Sequence, residues 1–435
     1  MSTSVETRKI HMVGIGGIGM SALAQLLVDK GEIVSGSDRD ASPVTEMLES
    51  KGIHVHIGAD ASNVPDDANI LVYSAAVHED NVERMRATEL DIPQLSYFEM
   101  LGRIAESYRV VAVAGTHGKT TTTGMLAKIL IDAGISPTVI VGSLVEDFGS
   151  NYVKGESEWL VVESCEYQRH FLNLTPEILV VTNIEFDHTD YYQDLADVQS
   201  AFRSLMEKVS ASGSIVTDVE HPNIVPLLEG LDAQVINYTG EPAYYLKLPG
   251  EFNQMNARAA SQAAKIVQPH MREEQLMQSL GSFKGTWRRF QYKGVTDSGA
   301  DLYDDYAHHP TAIRETLLAL RNKLEEEEKK GRIIVAFHPH LYSRTRDLLD
   351  GFSRAFSDAD EVIIAPIYAA REIDDGSVSA DILAERIRAE GTNARGTSSL
   401  EEVEEVLRKE AKEGDTILTM GAGDIYKVAD NLVKR

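Results

Sequence analysis

The segment Gly115-Thr116-His117-Gly118-Lys119-Thr120-Thr121 carries the residue types that bind a polyphosphate. A β-branched run at residues 110–114 precedes it, and a helical stretch begins at Lys119. Glycines in such a turn let backbone N–H groups close on phosphate oxygens, and the helix N-terminus adds partial positive charge. Lys119 is then placed to reach the β- and γ-phosphates, and the Thr120 hydroxyl to ligate Mg2+. The common G-x-x-x-x-G-K-[ST] pattern has glycine where this chain has Val113, so the loop is a shorter A-G-T-H-G-K-T variant. The expectation is a chain that binds and consumes ATP.

A second glycine loop, GIGGIG, spans residues 14–19. Gly14, Gly16 and Gly19, with Gly17 between, satisfy G-x-G-x-x-G between a strand and a helix, and Asp38 ends the second strand where a ribose would be held. Alone, this pattern suggests a dinucleotide and an oxidoreductase. Its physics requires only a diphosphate on a helix N-terminus, which any nucleoside diphosphate conjugate supplies. Two phosphate loops in one chain point to ATP on one and a nucleotide-linked substrate on the other.

Hard ligands follow at two further strand ends. WLVVE ends at Glu163 within ESCEYQRHFL, and EILVVTNIEFDH ends near Glu185, Asp187 and His188. Ligands gather at the carboxyl ends of parallel strands, so these residues are expected to face the phosphate loop. A carboxylate there ligates Mg2+, and the His188 imidazole can hold a second ion. Cys165 has no His or Cys partner in sequence and reads as a small neutral residue. Later segments, DDYAHHPTAI, AFHPHLYSRTRDL and TMGAGDIY, also close strands. His308 with His309, and His338 with His340, raise the question of zinc, but Arg344 and Arg346 nearby favour an anion pocket. Arg344 could fork onto a carboxylate, leaving Asp305 for a ribose hydroxyl.

The elements that must position these residues alternate strand and helix from end to end, the pattern of parallel α/β sheets. Strands are expected at 10–13, 33–37, 70–73, 110–114, 160–162, 178–182, 302–305, 333–337 and 417–420, with helices at 20–30, 119–133 and 310–324. At 435 residues the chain exceeds one hydrophobic core. Three α/β blocks can be separated, the first to about residue 105, the second restarting at 110–114 and the third beginning near Gly285. FKGTWRRFQ interrupts the periodicity at the last junction, and the charged run at residues 325–332 reads as a solvated helix end. With 42 basic against 68 acidic residues the net charge is −26, which disfavours nucleic acid and anionic membrane as partners. One cysteine excludes internal disulfides. The start of the sequence carries no basic-then-apolar leader and no apolar run approaches membrane length, so a cytoplasmic protein is expected.

The set GIGGIGMS, SGSD, AGTHGKTTTT, ESCEYQRHFL, TNIEFDHTDYY, GEFNQMN, WRRF, DDYAHHPT, PHLYSRTRDL and GAGDIY resembles the Mur ligases of peptidoglycan synthesis, in the family's order from Gly14 to Asp424. Within that family it is most similar to the branch that joins L-alanine to UDP-N-acetylmuramate. The resemblance implies three α/β domains, 1–105 for the UDP-linked substrate, 106–285 for ATP and 286–435 for the amino acid and nucleotide, Rossmann-like at both ends around a P-loop ATPase-like centre. It also implies an acyl-phosphate mechanism using ATP and Mg2+, in a monomer or weak homodimer. It places the UDP end on Gly14, Gly16, Gly17, Gly19, Asp38 and Ser74. ATP falls to Gly115 through Thr121, Asn253, Asn256, Arg289 and Asp305. Catalysis and metal binding fall to Lys119, Thr120, Glu163 and His188, and the amino acid to His308 and Arg344. The chain departs from the family at Phe252, where H-N-x-x-N usually has histidine, and at Leu341, where many relatives have arginine. The stretch at 235–250 is also shorter than usual. A ligase adding a preformed tripeptide to the same muramate is the nearest alternative, ahead of the oxidoreductase and a non-catalytic sensor.

Overall fold

The computed structural model describes residues 7–370 and 372–433; the first six residues, part of the segment read for a leader, lie outside them. Three sheets succeed one another along the chain. The first contains β1 (Lys9–Val13), β2 (Ile33–Asp38), β3 (His54–Ile57), β4 (Ile70–Tyr73) and β5 (Gln94–Ser96), all parallel, in the order β3-β2-β1-β4-β5. The chain winds one way from β1 to β3 and then returns to the other side of β1. That reversal opens a crevice at the carboxyl end of β1, where the Gly14 loop lies.

The central sheet contains β6 (Arg109–Ala114), β7 (Thr138–Val145), β8 (Ser150–Val153), β9 (Trp159–Glu163), β10 (Ile178–Val181), β11 (Ser214–Thr217) and β12 (Gln234–Asn237). Its order is β12-β11-β10-β6-β9-β7-β8, and only β8 runs antiparallel. β6 is flanked by β10 and β9. The ends of three neighbouring strands therefore deliver the phosphate loop, Glu163 and the Thr182–His188 segment to one rim. Both faces of these strands are covered, which is why VVAVA and ILVV are apolar without alternation.

The third sheet contains β13 (Gln291–Val295), β14 (Asp301–Asp305), β15 (Ile333–Phe337), β16 (Glu361–Ile364), β17 (Asn393–Gly396) and β18 (Thr416–Met420), ordered β13-β14-β18-β15-β16-β17 with β13 antiparallel. One apolar cluster runs unbroken from the first sheet to one face of the central sheet, joining Leu23, Met100, Val162 and Phe202. A second covers the opposite face with helices Lys119–Asp132, Glu251–Val267 and Glu273–Ser282. Two more sandwich the third sheet.

The expected strands and helices are present with ends shifted by a residue or two, and the run at 325–332 closes helix Pro310–Glu326 and continues as the charged turn after it. FKGTWRRFQ breaks periodicity for a local reason. Arg288 lies buried with φ +59, its Nε 2.8 Å from Asp304 and its terminal nitrogens donating to the carbonyls of Gly421 and Gly423. The segment is a seam fastened by one arginine. Among the described residues no helix is long and apolar enough to cross a membrane.

Candidate functional site

The phosphate loop is held in shape before any ligand is considered. Gly118 has φ +82, and a Cβ there would stand 2.2 Å from Asn256 Oδ1; one on Gly115 would stand 2.0 Å from Thr182 Oγ1. Only glycine leaves the backbone free to curl at both points. The His117 N–H donates to Asn183 Oδ1 at 2.9 Å, and the His117 carbonyl accepts from Thr182 Oγ1 and Asn183 Nδ2. The Thr116 hydroxyl accepts from the Glu185 N–H at 2.8 Å. Asn256 accepts from Thr122 Oγ1 at 3.2 Å and donates to Asn253 Oδ1 at 3.3 Å. The two asparagines, three apart on one face of their helix, thus seat it against the loop.

Lys119 curls back over its own loop, donating to the Gly115 carbonyl at 2.5 Å and pairing with Glu166 at 2.9 Å. Burial opposes its charge most, but Glu166 with Cys165 and Glu163 together outweigh it and the ammonium is held above its ordinary pKa. Burial likewise opposes ionisation of Glu166, and Lys119 and His188 reverse it, so the carboxyl is held below its usual range. Glu163 Oε1 accepts from Thr120 Oγ1 at 2.9 Å, and Oε2 from the Gly142 N–H at 2.7 Å. His188 has φ +53, its Nε2 is 3.5 Å from Glu166 Oε1, and its buried Nδ1 has no hydrogen-bond partner among the described residues. Thr120, Glu163 and His188, with glycines that admit an anion, fit Mg2+ on a nucleotide: hard oxygens and one spare imidazole nitrogen. Glu166 escaped the sequence reading, although it stands three residues after Glu163 in ESCE. Asn183 likewise hid in TNIE.

The third domain supplies the opposite wall. Arg289 reaches across to Thr120 Oγ1 at 3.4 Å and lies over the Tyr306 ring at 4.8 Å. Asp305 was expected to be free for a ribose hydroxyl, and the structure corrects that. Its oxygens accept from the Phe290 and Ala307 N–H groups at 2.6 and 2.7 Å, and burial raises its pKa. His308 Nδ1 is 2.9 Å from the Tyr306 carbonyl, so it carries the proton and leaves Nε2 as acceptor. Burial, with Arg344 adding to it, holds His308 well below its ordinary pKa. Arg344 is engaged across the domain boundary, its Nε donating to Asp187 Oδ1 at 2.7 Å and its Nη1 lying 3.1 Å from His340 Nδ1. Leu341, at φ +70, is buried and donates its N–H to the Tyr368 carbonyl at 2.9 Å. Phe252 packs against the third domain's core beside Asn253 and lines the same cavity.

In the first domain Gly14 has φ +78 and a Cβ on it would press on Ser74 at 3.0 Å, so Ser74 lies directly against the loop. Asp38 Oδ2 accepts from the Gly16 N–H at 2.8 Å; the carboxylate shapes the loop itself. Gly17 caps helix Ile18–Asp29, and Gly19 lies under the Tyr97 ring, which a Cβ would meet at 2.9 Å. Asn151 of the central domain donates to the Ile18 carbonyl at 2.6 Å. A cavity of about 550 Å³ runs between the domains, lined by Ile18, Lys119, Glu163, His188, Arg289 and His308. Lys119, Thr120, Glu163, His188, Asn253, Asn256, Arg289, Asp305 and His308 all border it, whereas Arg344 and the Gly14 loop glycines do not.

Models of three consecutive families match the chain: "Mur ligase family, catalytic domain" over residues 9–109, "Mur ligase middle domain" over 113–245, and "Mur ligase, glutamate ligase domain" over 288–423. The chain is 42% identical to the UDP-N-acetylmuramate–L-alanine ligase of Desulfitobacterium hafniense, covering 98% of this chain and 99% of the relative. Its fold is similar to the crystal structure of UDP-N-acetylmuramate-alanine ligase from Thermotoga maritima, with TM-score 0.79 at 28% identity over 98% of both chains. A murein peptide ligase from Psychrobacter arcticus shares the fold with TM-score 0.72 at 23% identity over 98% of both chains.

Proposed function

This chain belongs to the Mur ligase family, and we propose that it joins L-alanine to the carboxylate of UDP-N-acetylmuramate as ATP is cleaved to ADP and phosphate. The observation that carries this reading is the interdomain cavity, in which an ATP-type phosphate loop, strand-end acids and an arginine from another domain face one space. A carboxylate is a poor electrophile, so amide formation requires a leaving group. The muramate carboxylate attacks the γ-phosphorus and ADP departs. The alanine amine then attacks the acyl phosphate and inorganic phosphate departs.

The residues divide this work. The loop N–H groups of residues 115–121 cradle the phosphates, and Lys119 turns from the Gly115 carbonyl to the γ-phosphate oxygens as charge develops there. Arg289 stabilises the same charge from the other wall. Mg2+ held by Thr120, Glu163 and His188 would neutralise the phosphates when bound. His308, kept neutral by burial, offers Nε2 to the proton of the alanine ammonium. Arg344, seated by Asp187 beside His340 and outside the cavity lining, is assigned to the alanine carboxylate by the family resemblance alone. The Gly14 loop, Asp38 and Ser74 hold the UDP end on the helix N-terminus. Asn253, Asn256 and Phe252 border the nucleotide, and Asp305 fixes the backbone on which His308 stands. The proposed domains are 1–105, 106–285 and 286–435, in a cytoplasmic monomer or weak homodimer.

Phosphate release with UDP-N-acetylmuramate, ATP and Mg2+ against a panel of amino acids and peptides tests the proposal. Release is expected to require both the muramate and L-alanine. Release with neither present sinks the ligase reading, and consumption of a tripeptide with L-alanine ignored assigns the chain to the recycling reaction.

A further inference from the structure

His309 follows His308 in the sequence, where Arg344 and Arg346 favour an anion pocket over a metal. The fold separates the two imidazoles. His309 turns away from Arg344 toward the phosphate loop, where His117 Nε2 lies 3.5 Å and His309 Nδ1 3.6 Å from the same oxygen, Glu185 Oε2. The three ligand atoms all lie within 4.8 Å of one another. Two histidines and a glutamate converging from three separate chain segments recur where a tetrahedral ion keeps one open position.

The separations favour an ion over a hydrogen-bonded triad. At 3.5 and 3.6 Å these contacts exceed hydrogen-bond length. A tetrahedral site with ligand bonds of about 2.0–2.1 Å has ligand–ligand edges of about 3.3–3.4 Å. Two of the three edges are therefore nearly in place. His117 Nε2 is buried with no hydrogen-bond partner among the described residues, a polar atom whose position calls for one.

The surrounding bonds set the ligands as an ion requires. His309 Nε2 lies 3.2 Å from the Phe186 carbonyl and so carries the proton; its Nδ1 lone pair, on the Glu185 side, accepts the Thr311 N–H at 3.4 Å, a long capping bond that an ion would have to replace. Burial, reinforced by His117, brings His309 down to about 4, so its imidazole is neutral at physiological pH. Thr311 donates its hydroxyl to Glu185 Oε2 at 2.7 Å, orienting the carboxylate. Two nitrogens and one oxygen suit a borderline-soft ion, and Mg2+ prefers an all-oxygen octahedron.

We propose that His117, Glu185 and His309 form a site for a divalent transition metal of the Zn2+ class, and that metal bound there clamps the third domain against the phosphate loop. The site is distinct from Thr120, Glu163 and His188. His117 and Glu185 belong to the central domain and His309 to the third, so the site exists only while the two are docked. An ion bound to it stabilises the docked arrangement by linkage.

The test is a titration of the full-length chain with Co2+, without nucleotide or Mg2+, read by visible absorption. One equivalent is expected to bind with the intense bands of a tetrahedral ion, and Zn2+ to bleach them. His309→Asn and Glu185→Gln are each expected to weaken binding at least about tenfold. His188→Asn is expected to leave the spectrum unchanged. His309→Cys is expected to retain the ion with its intense tetrahedral bands and add a sulfur-to-cobalt charge-transfer band, while circular dichroism stays as in the unsubstituted chain. In solution scattering, Zn2+ is expected to shrink the radius of gyration of the unsubstituted chain and not of His309→Asn. A weak octahedral spectrum, normal titration of His309→Asn and Glu185→Gln, or loss confined to His188→Asn would overturn the site. Binding that leaves the scattering unchanged would overturn the clamp.

Discussion

The ion pair between Asp187 and Arg344 is a buried polar contact between the central and third domains, and its removal makes a quantitative test. The two side chains retain only 6% and 3% of their exposure, and the bond is 2.7 Å. Burial opposes the charge on Asp187, yet Arg344 and the histidines around it outweigh burial and hold the carboxyl well below its ordinary pKa. In Arg344→Met the carboxylate remains buried without its partner, a defect that costs about 3–5 kcal/mol. Because the pair crosses the boundary, Asp187 can escape by rehydrating as the domains separate. The penalty therefore falls on the closed arrangement rather than on the central domain's own fold. At about 1.4 kcal/mol per decade, the closing equilibrium should fall roughly a hundredfold to several thousandfold. A donor–acceptor dye pair on the two domains reads the closed fraction, and melting of the central domain should stay near that of the parent. Asp187→Asn in the Arg344→Met background removes the stranded charge, so the double variant should close better than Arg344→Met alone, with coupling of at least about 1.5 kcal/mol. Additivity of the two substitutions within about 0.5 kcal/mol would refute the reasoning.

Gly118→Ala forces a Cβ to 2.2 Å from Asn256 Oδ1 at φ +82, so nucleotide affinity measured by calorimetry should drop at least about tenfold, with strain of about 1–2 kcal/mol alone. Lys119→Met removes a donor aimed at developing charge and should lower phosphate release about a hundredfold or more. It also strands Glu166, and melting should fall at neutral pH. Glu185 is opposed by burial, but His117, Thr311 and His309 bring it down to about 2. Its depressed pKa contributes stability that is complete above the unfolded value of about 4.3 and lost as pH falls toward 2; Glu185→Gln should flatten that limb in acid denaturation. His170, His309 and His338 are each brought down to about 4, mainly by burial. The unfolded chain takes up their protons first, so stability is full above about pH 6.5 and declines toward pH 4. Denaturant midpoints across that range should fall with pH, less steeply in His338→Gln.

The two phosphate loops and the strand ends were legible from the sequence because local geometry imposes them. A glycine at positive φ, a β-branched strand before it and a helix after it are neighbours in the chain, and so are Glu163 and His188 with the strands they end. The ion pair of Lys119 with Glu166, the bracing of the loop by Asn183 and Asn256, and the fastening of Arg288 by Asp304 depend on which strands lie side by side. Sheet order is a nonlocal choice: β9 and β10 flank β6 although β7 and β8 intervene in sequence. Asp305 is not the free carboxylate its position suggested, for a related reason, and Asp38 also braces its own loop. A strand-end carboxylate looks available in sequence, but in both cases backbone N–H groups of a nearby loop reach it. The histidines show the limit most directly. His308 and His309 are adjacent in sequence, yet one faces Tyr306 and Arg344 while the other faces His117 and Glu185. The sequence by itself determined α/β organisation, a glycine loop between strand and helix at Gly115–Thr121 and the ligase family. Tertiary structure alone decided which side chains converge across the domain boundary, because such contacts arise from packing between segments that share no local pattern.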